Sequence, residues 1–401
     1  MAKGRDAVDT IKGYYYQFDY FILQLINLSN ETDTVTIEGI EDVDIFDENG
    51  TTVAVQCKYY AKTEYNHSVI AQPIRFMLKD FANRSPQNRN IHYKLYGKYQ
   101  SGHEKYPGTL TVEFAKEKFF TYKENAKIHV LHKELKLNDK DIEEFLSKLD
   151  VNIYAEDYSE QQEKVIMGLK KIFHCEKFEA EYYYYNNALR LVKEKAVKQN
   201  IQDRIVSKTE FLNRINNKKM LFDKWYIQFK GIHEYCADVK NRYFSPSNVS
   251  PYERFFLIEC DQIIDDSKLI LLIEKISQNW SKLSYRESKP FCPYIYLEGI
   301  SKERLIILKK KLQQEDIRLW DGYDFLGADF FVNSIIRRPS YENKVKVKII
   351  NSIENLNIIL EKNTRTKEIY QFYLYEPFYE NNQNLCYGIQ ISETEDINMM
   401  I

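Results

Sequence analysis

Apolar and polar residues alternate along two neighbouring stretches near the start of the chain. The first is Glu38-Gly39-Ile40-Glu41-Asp42-Val43-Asp44, and the second is Val53-Ala54-Val55-Gln56-Cys57-Lys58. A period of two with frequent β-branched residues predicts a strand in each case. Asp47-Glu48-Asn49-Gly50 lies between them and reads as a tight turn. The length of that turn fixes which side chains share a face, because a one-residue slip sends every side chain to the opposite side. A two-residue Asn49-Gly50 turn pairs Asp44 with Val55 and separates Asp44 from Gln56 and Lys58. A three-residue loop, Glu48-Asn49-Gly50 with Gly50 left-handed, pairs Asp44 with Ala54 and Asp42 with Gln56. Asp42, Asp44, Gln56 and Lys58 then line one face, and Val43, Ile45, Val53, Val55 and Cys57 line the other. Only this second register divides polar from apolar cleanly, and it is the one expected.

The periodicity changes along the chain. Helices are expected over residues 7–29 and Ser68–Asn83, and a strand over Ile91–Tyr99. Gln100–Gly108 reads as a loop, and Thr109–Phe114 and Lys127–Leu131 read as short strands. Helical spacing then dominates: Asn138–Leu149, Ser159–Phe173, a long helix from Phe178 towards Lys198, and Thr209–Ile215. The tract Tyr182-Tyr183-Tyr184-Tyr185 covers more than one side of a helix, so part of it meets another surface. Ser245-Pro246-Ser247-Asn248-Val249-Ser250-Pro251 has the composition of a linker. Beyond it, strands (Arg254–Cys260, Tyr294–Glu298, Ile369–Tyr375, Cys386–Ile391) alternate with helices (Ser267–Leu283, Ser301–Gln313). Ile349–Ile359 reads as either helical or extended. The division expected is an α/β domain over 1–130, a helical region over 131–244, and a C-terminal α/β or α+β domain over 252–401.

Composition narrows the function little. The 57 Lys+Arg nearly balance the 59 Asp+Glu in 401 residues, so any contact with nucleic acid must come from a local patch or from oligomerisation. The six cysteines, at positions 57, 175, 236, 260, 292 and 386, contain no Cys-x-x-Cys pair. A zinc site is therefore not expected, and buried thiols in a reducing cytoplasm are. No apolar run is long enough for a membrane span, and no signal peptide is evident. The chain has no G-x-x-x-x-G-K-[ST] loop, so ATP hydrolysis by this protein is not expected.

The chemistry resides in the first hairpin. Carboxylates and an amide oxygen are hard ligands of the kind Mg²⁺ takes, while it retains several waters. Such a metal polarises a phosphate and acidifies a water, and a lysine beside it steadies developing negative charge. Asp44 is the expected principal ligand of Mg²⁺ or Mn²⁺, with Gln56 contributing its side-chain oxygen and Lys58 the catalytic cation. Asp42 and Glu38 have the parity of further ligands, and Glu41 reaches the site only through a bulge. The same residue types also suit the wet face of an ordinary hairpin, so the order of the surrounding elements decides between the two.

That order is informative. Asp44 with Gln56-Cys57-Lys58 resembles the PD-(D/E)xK restriction-endonuclease superfamily in its Q-x-K variant. A preceding helix with Gly13-Tyr14-Tyr15-Tyr16-Gln17, the two strands, a helix and a further strand match the α-β-β-α-β core of that superfamily. Gly-x-x-x-Gln, then Glu38…Glu41-Asp42-x-Asp44, then Val55-Gln56-x-Lys58 resembles more closely the double-stranded-DNA nuclease domain of bacterial anti-phage effectors. The resemblance spans roughly the first 125 residues. It implies a restriction-endonuclease-like fold, Mg²⁺-dependent cleavage of double-stranded DNA, and control by a partner, a HerA-type ring ATPase or an SMC-like ATPase. Homo-oligomerisation is also expected. Gln17 stands where some members carry a helix residue facing the active site; a helix-to-sheet hydrogen bond is the other reading of it. A non-catalytic DNA-binding or adaptor subunit is the alternative for the whole protein.

Overall fold

A computed structural model describes residues 7–47, 50–85, 88–244, 253–261, 263–325, 327–379 and 385–401. The expected linker over 245–251 lies outside the described residues. The chain forms two compact units, residues 1–217 and 218–401, and both are mixed α/β.

The first unit begins with α1 (Val8–Asn27), β1 (Thr34–Ile37), β2 (Val43–Phe46), β3 (Thr52–Glu64), α2 (His67–Asn83) and β4 (Ile91–Ser101). Next come α3 (Val112–Ala115), a small hairpin of β5 (Thr121–Glu124) and β6 (Lys127–Val130), α4 (Leu131–Glu134), α5 (Asp139–Ser147) and β7 (Leu149–Asn152). The unit closes with α6 (Tyr158–Phe173), α7 (Lys177–Glu179), α8 (Asn186–Ala196), β8 (Ile205–Ser207) and α9 (Lys208–Ile215). Six strands form one sheet in the order β7-β4-β3-β2-β1-β8. β1, β2 and β3 pair antiparallel, as do β1 and β8, whereas β3, β4 and β7 run parallel. Helices cover both faces. Tyr16, Phe21 and Leu25 of α1, with α6, α8 and α9, pack on Val43, Val55 and Cys57. Ile70, Ile74 and Phe81 of α2, with α5, pack on Ala54, Tyr93 and Leu95. Each such fully buried large side chain contributes roughly 1.5–3 kcal/mol of hydrophobic stabilisation.

Several elements differ from the sequence reading. The sheet contains a strand before the acidic run, β1, so three strands rather than two precede α2. Residues 38–42 are a hairpin loop, and the acidic strand proper is only Val43–Phe46. Thr109–Phe114 is not a strand: the Thr111 side chain accepts a hydrogen bond from the Phe114 amide and caps the short helix α3. The middle region is not separate from the N-terminal sheet up to residue 217. It supplies the two outermost strands, β7 and β8, and the α6 and α8 layer that covers α1. The tyrosine tract lies in a π-helical segment, residues 180–185; it buries Tyr184 and Tyr185 and leaves Tyr182 exposed.

The second unit opens with α10 (Lys218–Lys230), α11 (Ile232–Val239), β9 (Glu253–Glu259), α12 (Asp266–Trp280), β10 (Tyr294–Glu298), α13 (Lys302–Gln314) and β11 (Arg318–Trp320). It continues with α14 (Val332–Ile336), β12 (Val345–Ile350), α15 (Ile353–Lys362), β13 (Lys367–Tyr373), β14 (Leu385–Gln390) and α16 (Ile397–Met400). All six strands are parallel, in the order β11-β12-β10-β9-β13-β14. Ile349–Ile359 thus divides between the end of β12 and α15, with Ser352 as N-cap. A parallel sheet covered on both sides needs strands apolar at every position. Phe255-Phe256-Leu257-Ile258 in β9 meets this, with Phe256 and Ile258 under α12 and α13 and Phe255 and Leu257 under α14 and α15. Among the described residues no helix is long and apolar enough to cross a membrane.

Candidate functional site

The β2–β3 register is the one expected from polarity. Asp44 pairs with Ala54, and Val43 with Val55. Gly50 has φ +74°, and the Asp47 amide donates to the Thr51 carbonyl at 3.2 Å, closing the turn. Glu48 and Asn49 of that turn lie outside the described residues. Val43, Val55 and Cys57 face α1, with Ile45 and Val53 packed alongside. Asp44, Gln56 and Lys58 therefore take the α2 face with Ala54.

The loop joining β1 to β2 carries the remaining acids. The Glu38 amide donates to the Asp42 carbonyl at 2.9 Å and closes the loop, with Glu38 itself left-handed at φ +53°. Asp44, 1% exposed, reaches under the loop. Its Oδ2 accepts the Ile40 amide and its Oδ1 accepts the Glu41 amide at 3.2 Å. The Ile40 side chain packs on the α2-side core and anchors the loop there. Gly39 is required by this arrangement, because a Cβ at that position would lie 2.1 Å from Asp44 Oδ2.

Asp42 lies beyond the paired residues of β2, so it does not continue the ladder opposite Gln56. Its carboxylate performs that function instead, accepting the Gln56 side-chain amide and the Cys57 backbone amide, the latter at 2.8 Å. Gln17, buried on α1, donates to Glu38 Oε1 at 2.6 Å and to the Asp42 carbonyl at 3.3 Å. Its helix-to-sheet role and its place at the site are thus one arrangement. Glu41 is in a loop, so strand parity does not apply to it, and it joins the acids without a bulge.

The electrostatics follow from this crowding. Burial, then the charges of Asp42 and Asp44, push the Glu41 carboxyl up to about 8, while Lys58 opposes the shift. Burial raises Asp44 to about 6 against the restraining amides of Ile40 and Glu41. Asp42 is also raised by burial, with Lys58 as the strongest opposing influence. The Lys58 ammonium makes no hydrogen bond or ion pair among the described residues. The cross-strand neighbour of Lys58 on β4 is Gly97, and the Tyr99 ring fills the space where a Cβ of Gly97 would stand, 2.7 Å from that position. A half-buried cation thus stands beside a cluster of carboxylates, its Nζ committed to none of them.

Two participants carried no signal in the sequence. Arg204, in a single 3-10 turn before β8, donates to the Glu38 carbonyl at 2.6 Å and to the carbonyls of Lys198 and Gln199. Asp80 of α2 adds its charge to those felt by Glu41 and Asp44, while held by Arg84 at 2.7 Å and by the Tyr93 hydroxyl. Among the described residues no group of three His, Cys, Asp or Glu side chains is arranged to hold a metal ion. The donor set nonetheless suits Mg²⁺, which takes one or two carboxylates and completes its shell with water. The Gln56 oxygen accepts no hydrogen bond from the described residues, which leaves it available as a further donor to a metal. All six cysteines are free, five of them buried. Cys57 lies between Gln56 and Lys58 with its thiol pushed well up by burial, so it is inert in this site. No family model matches the chain, and no curated protein matches it.

Proposed function

We propose that residues 1–217 form a restriction-endonuclease-like, metal-dependent deoxyribonuclease that cuts double-stranded DNA. The observation that carries this reading is the uncommitted Lys58 beside Asp42 and Glu41, on the same face as Asp44 and Gln56. An ordinary wet hairpin face leaves its acids in solvent; here Asp44 is 1% exposed and Asp42 is largely enclosed. Burying several carboxylates around one lysine costs stability unless a further cation or a proton offsets them. Asp44 and Asp42, with the Gln56 oxygen, would hold Mg²⁺ or Mn²⁺, and Glu38 and Glu41 would support them from the loop. When bound, the metal would supply Lewis acidity to the phosphate and a more acidic water.

The protein's own residues contribute the rest. Asp44 orders the 38–42 loop through the amides of Ile40 and Glu41. Gln17 fixes that loop to α1, so the acids keep their position as the substrate charge approaches. Lys58 presents its ammonium to a non-bridging phosphate oxygen or to the attacking water. A freely active DNase endangers its own cell, so control by a partner follows. An anti-phage role beside a HerA-type or SMC-like ATPase is the setting in which the resemblance places it, with homo-oligomerisation gathering local basic patches on the duplex.

A second reading, a DNA-binding or adaptor subunit without catalysis, draws on the hydrogen bonds that Gln56 and the Cys57 amide donate to Asp42. Those bonds occupy one oxygen of a proposed ligand. The experiment incubates the full chain with linear and plasmid duplex DNA and Mg²⁺, alone and with the product of its neighbouring gene. Cleavage by wild type, lost in Lys58→Ala and in Asp44→Ala, supports the nuclease. Binding without cleavage in both settings, or equal cleavage by the variants, removes the catalytic reading.

A further inference from the structure

The second unit holds an unusual excess of positive charge at the N-terminal ends of its central strands. A cavity of about 220 Å³ opens there, lined by Glu253, Lys289, Phe291, Arg338, Thr364 and Arg365 among others. Three cations line it against one carboxylate. That carboxylate is already heavily shared. Glu253, 6% exposed, pairs with Arg365, and its charge also acts on Lys348 and Lys367. Lys348 is 1% exposed, and its ammonium donates to the Tyr294 hydroxyl at 2.9 Å. Burial lowers the pKa of both lysines, and the charge of Glu253 opposes that shift.

The cavity is also preorganised. Arg365 is held by Glu253, by the Ile336 carbonyl at 3.3 Å and by its own amide on Asn363 Oδ1 at 3.1 Å. The Glu253 amide donates to the Thr366 carbonyl at 2.8 Å and fixes the opposite wall. Arg338 and Lys289 make no ion pair among the described residues and border the opening. Thr364 and Thr366 complete the lining.

We infer that this cavity is a binding site for a phosphate group, either inorganic phosphate or the phosphomonoester of a larger molecule. Arg338 supplies a planar, two-pronged donor, Lys289 a mobile point charge, and Arg365 a fixed one. The volume is below the ~300–1,000 Å³ of sites that enclose a whole drug-sized ligand, so one phosphate group is the part recognised. This site is in the other unit from the hairpin and does not depend on the nuclease reading.

The test is calorimetric titration of the full chain with inorganic phosphate and, separately, with a nucleoside 5′-monophosphate. Lys289→Ala/Arg338→Ala, two exposed changes, is expected to weaken phosphate at least about tenfold, equivalent to about 1.4 kcal/mol. Arg338→Lys should fall between the double variant and wild type. Lys58→Ala should bind as wild type does, because its phosphate-seeking lysine is elsewhere. Tighter binding of the monophosphate than of inorganic phosphate identifies an esterified ligand, and equal or weaker binding identifies the free ion; either supports the site. No uptake by folded wild type, unchanged affinity in the double variant, or loss in Lys58→Ala would overturn it.

Discussion

Gly39→Ala tests the construction of the hairpin site without replacing any of its charged groups. The added Cβ would lie 2.1 Å from Asp44 Oδ2 and 3.1 Å from Asp44 Cγ, whereas real contacts to Cβ do not fall below 3.0 Å. Either the loop or the carboxylate must therefore move by about 1 Å. A shift of that size carries the Glu41 amide, already at 3.2 Å, out of hydrogen-bonding range and strains the Ile40 bond. Hydrogen bonds to a charged group contribute about 1.5–3 kcal/mol each, and water recovers part of that at a half-buried loop. The expected loss is about 2–4 kcal/mol. For a unit of this size it corresponds to a fall of about 5–15 °C in midpoint.

Attribution requires a cycle and a local probe. In an Asp44→Ala background the clash with the carboxylate is gone, and Thr36 Cγ2 stands at 3.3 Å from the same Cβ, an approach a methyl group can yield to. Gly39→Ala should then cost under about 1 kcal/mol, a coupling of at least about 1 kcal/mol between neighbours in contact. All three tryptophans, Trp225, Trp280 and Trp320, belong to residues 218–401, so tryptophan emission reports the other unit. Hydrogen exchange in urea, read on peptides from residues 34–64, reports the hairpin. At pH 8 Asp44, with its carboxyl at about 6, is ionised and makes its full bonds. A Gly39→Ala loss below about 0.5 kcal/mol, or strictly additive costs in the double variant, refutes the geometry argued here.

Gly50→Ala is the contrasting case: none of the described residues lies within 4 Å of its added Cβ, so the left-handed backbone at φ +74° is what is penalised. It should cost about 1–2 kcal/mol by the same exchange measurement, and equally in the Asp44→Ala background. Asp19 is wholly buried, with Oδ1 accepting the Tyr185 hydroxyl at 2.7 Å and Oδ2 without a hydrogen-bond partner among the described residues. Burial pushes its carboxyl up to about 7, so the folded state binds a proton the unfolded state has lost, and this contribution to stability falls as pH rises from about 4 to 7. Asp19→Asn should accordingly stabilise the first unit at pH 8 and change it little at pH 4; parallel pH profiles would count against this. Gln17→Leu removes the bonds to Glu38 and the Asp42 carbonyl and should cost about 1–2 kcal/mol. With it the maximal cleavage rate should fall while DNA affinity holds, and an unchanged rate would deny Gln17 a positioning role.

Local constraint marks what could be read in the chain. The β2–β3 register was legible because Gly50 offers one left-handed position and only one register sorts Val43, Val55 and Cys57 from Asp44, Gln56 and Lys58. The loop over 38–42 was not legible, because its acids and Ile40 keep the alternation of a strand. Its conformation is decided instead by one side chain, Asp44, bonding to amides three and four residues earlier. β1 was missed as only four residues, and β7 and β8 as strands of four and three residues that gain their identity from partners far along the chain. Short edge strands have too few positions for a period to show, and their pairing energy lies in the neighbour. The same reasoning explains Arg204. Nothing around it differs from a solvated turn, yet its guanidinium joins the Glu38 carbonyl to two carbonyls of the segment before β8. The region read as a separate helical connector is therefore part of what holds the acidic loop closed. A truncation at residue 130, where sequence composition places a boundary, would remove Arg204, β7, β8 and the α6 and α8 cover of α1. It would leave the hairpin residues present and the site unsupported.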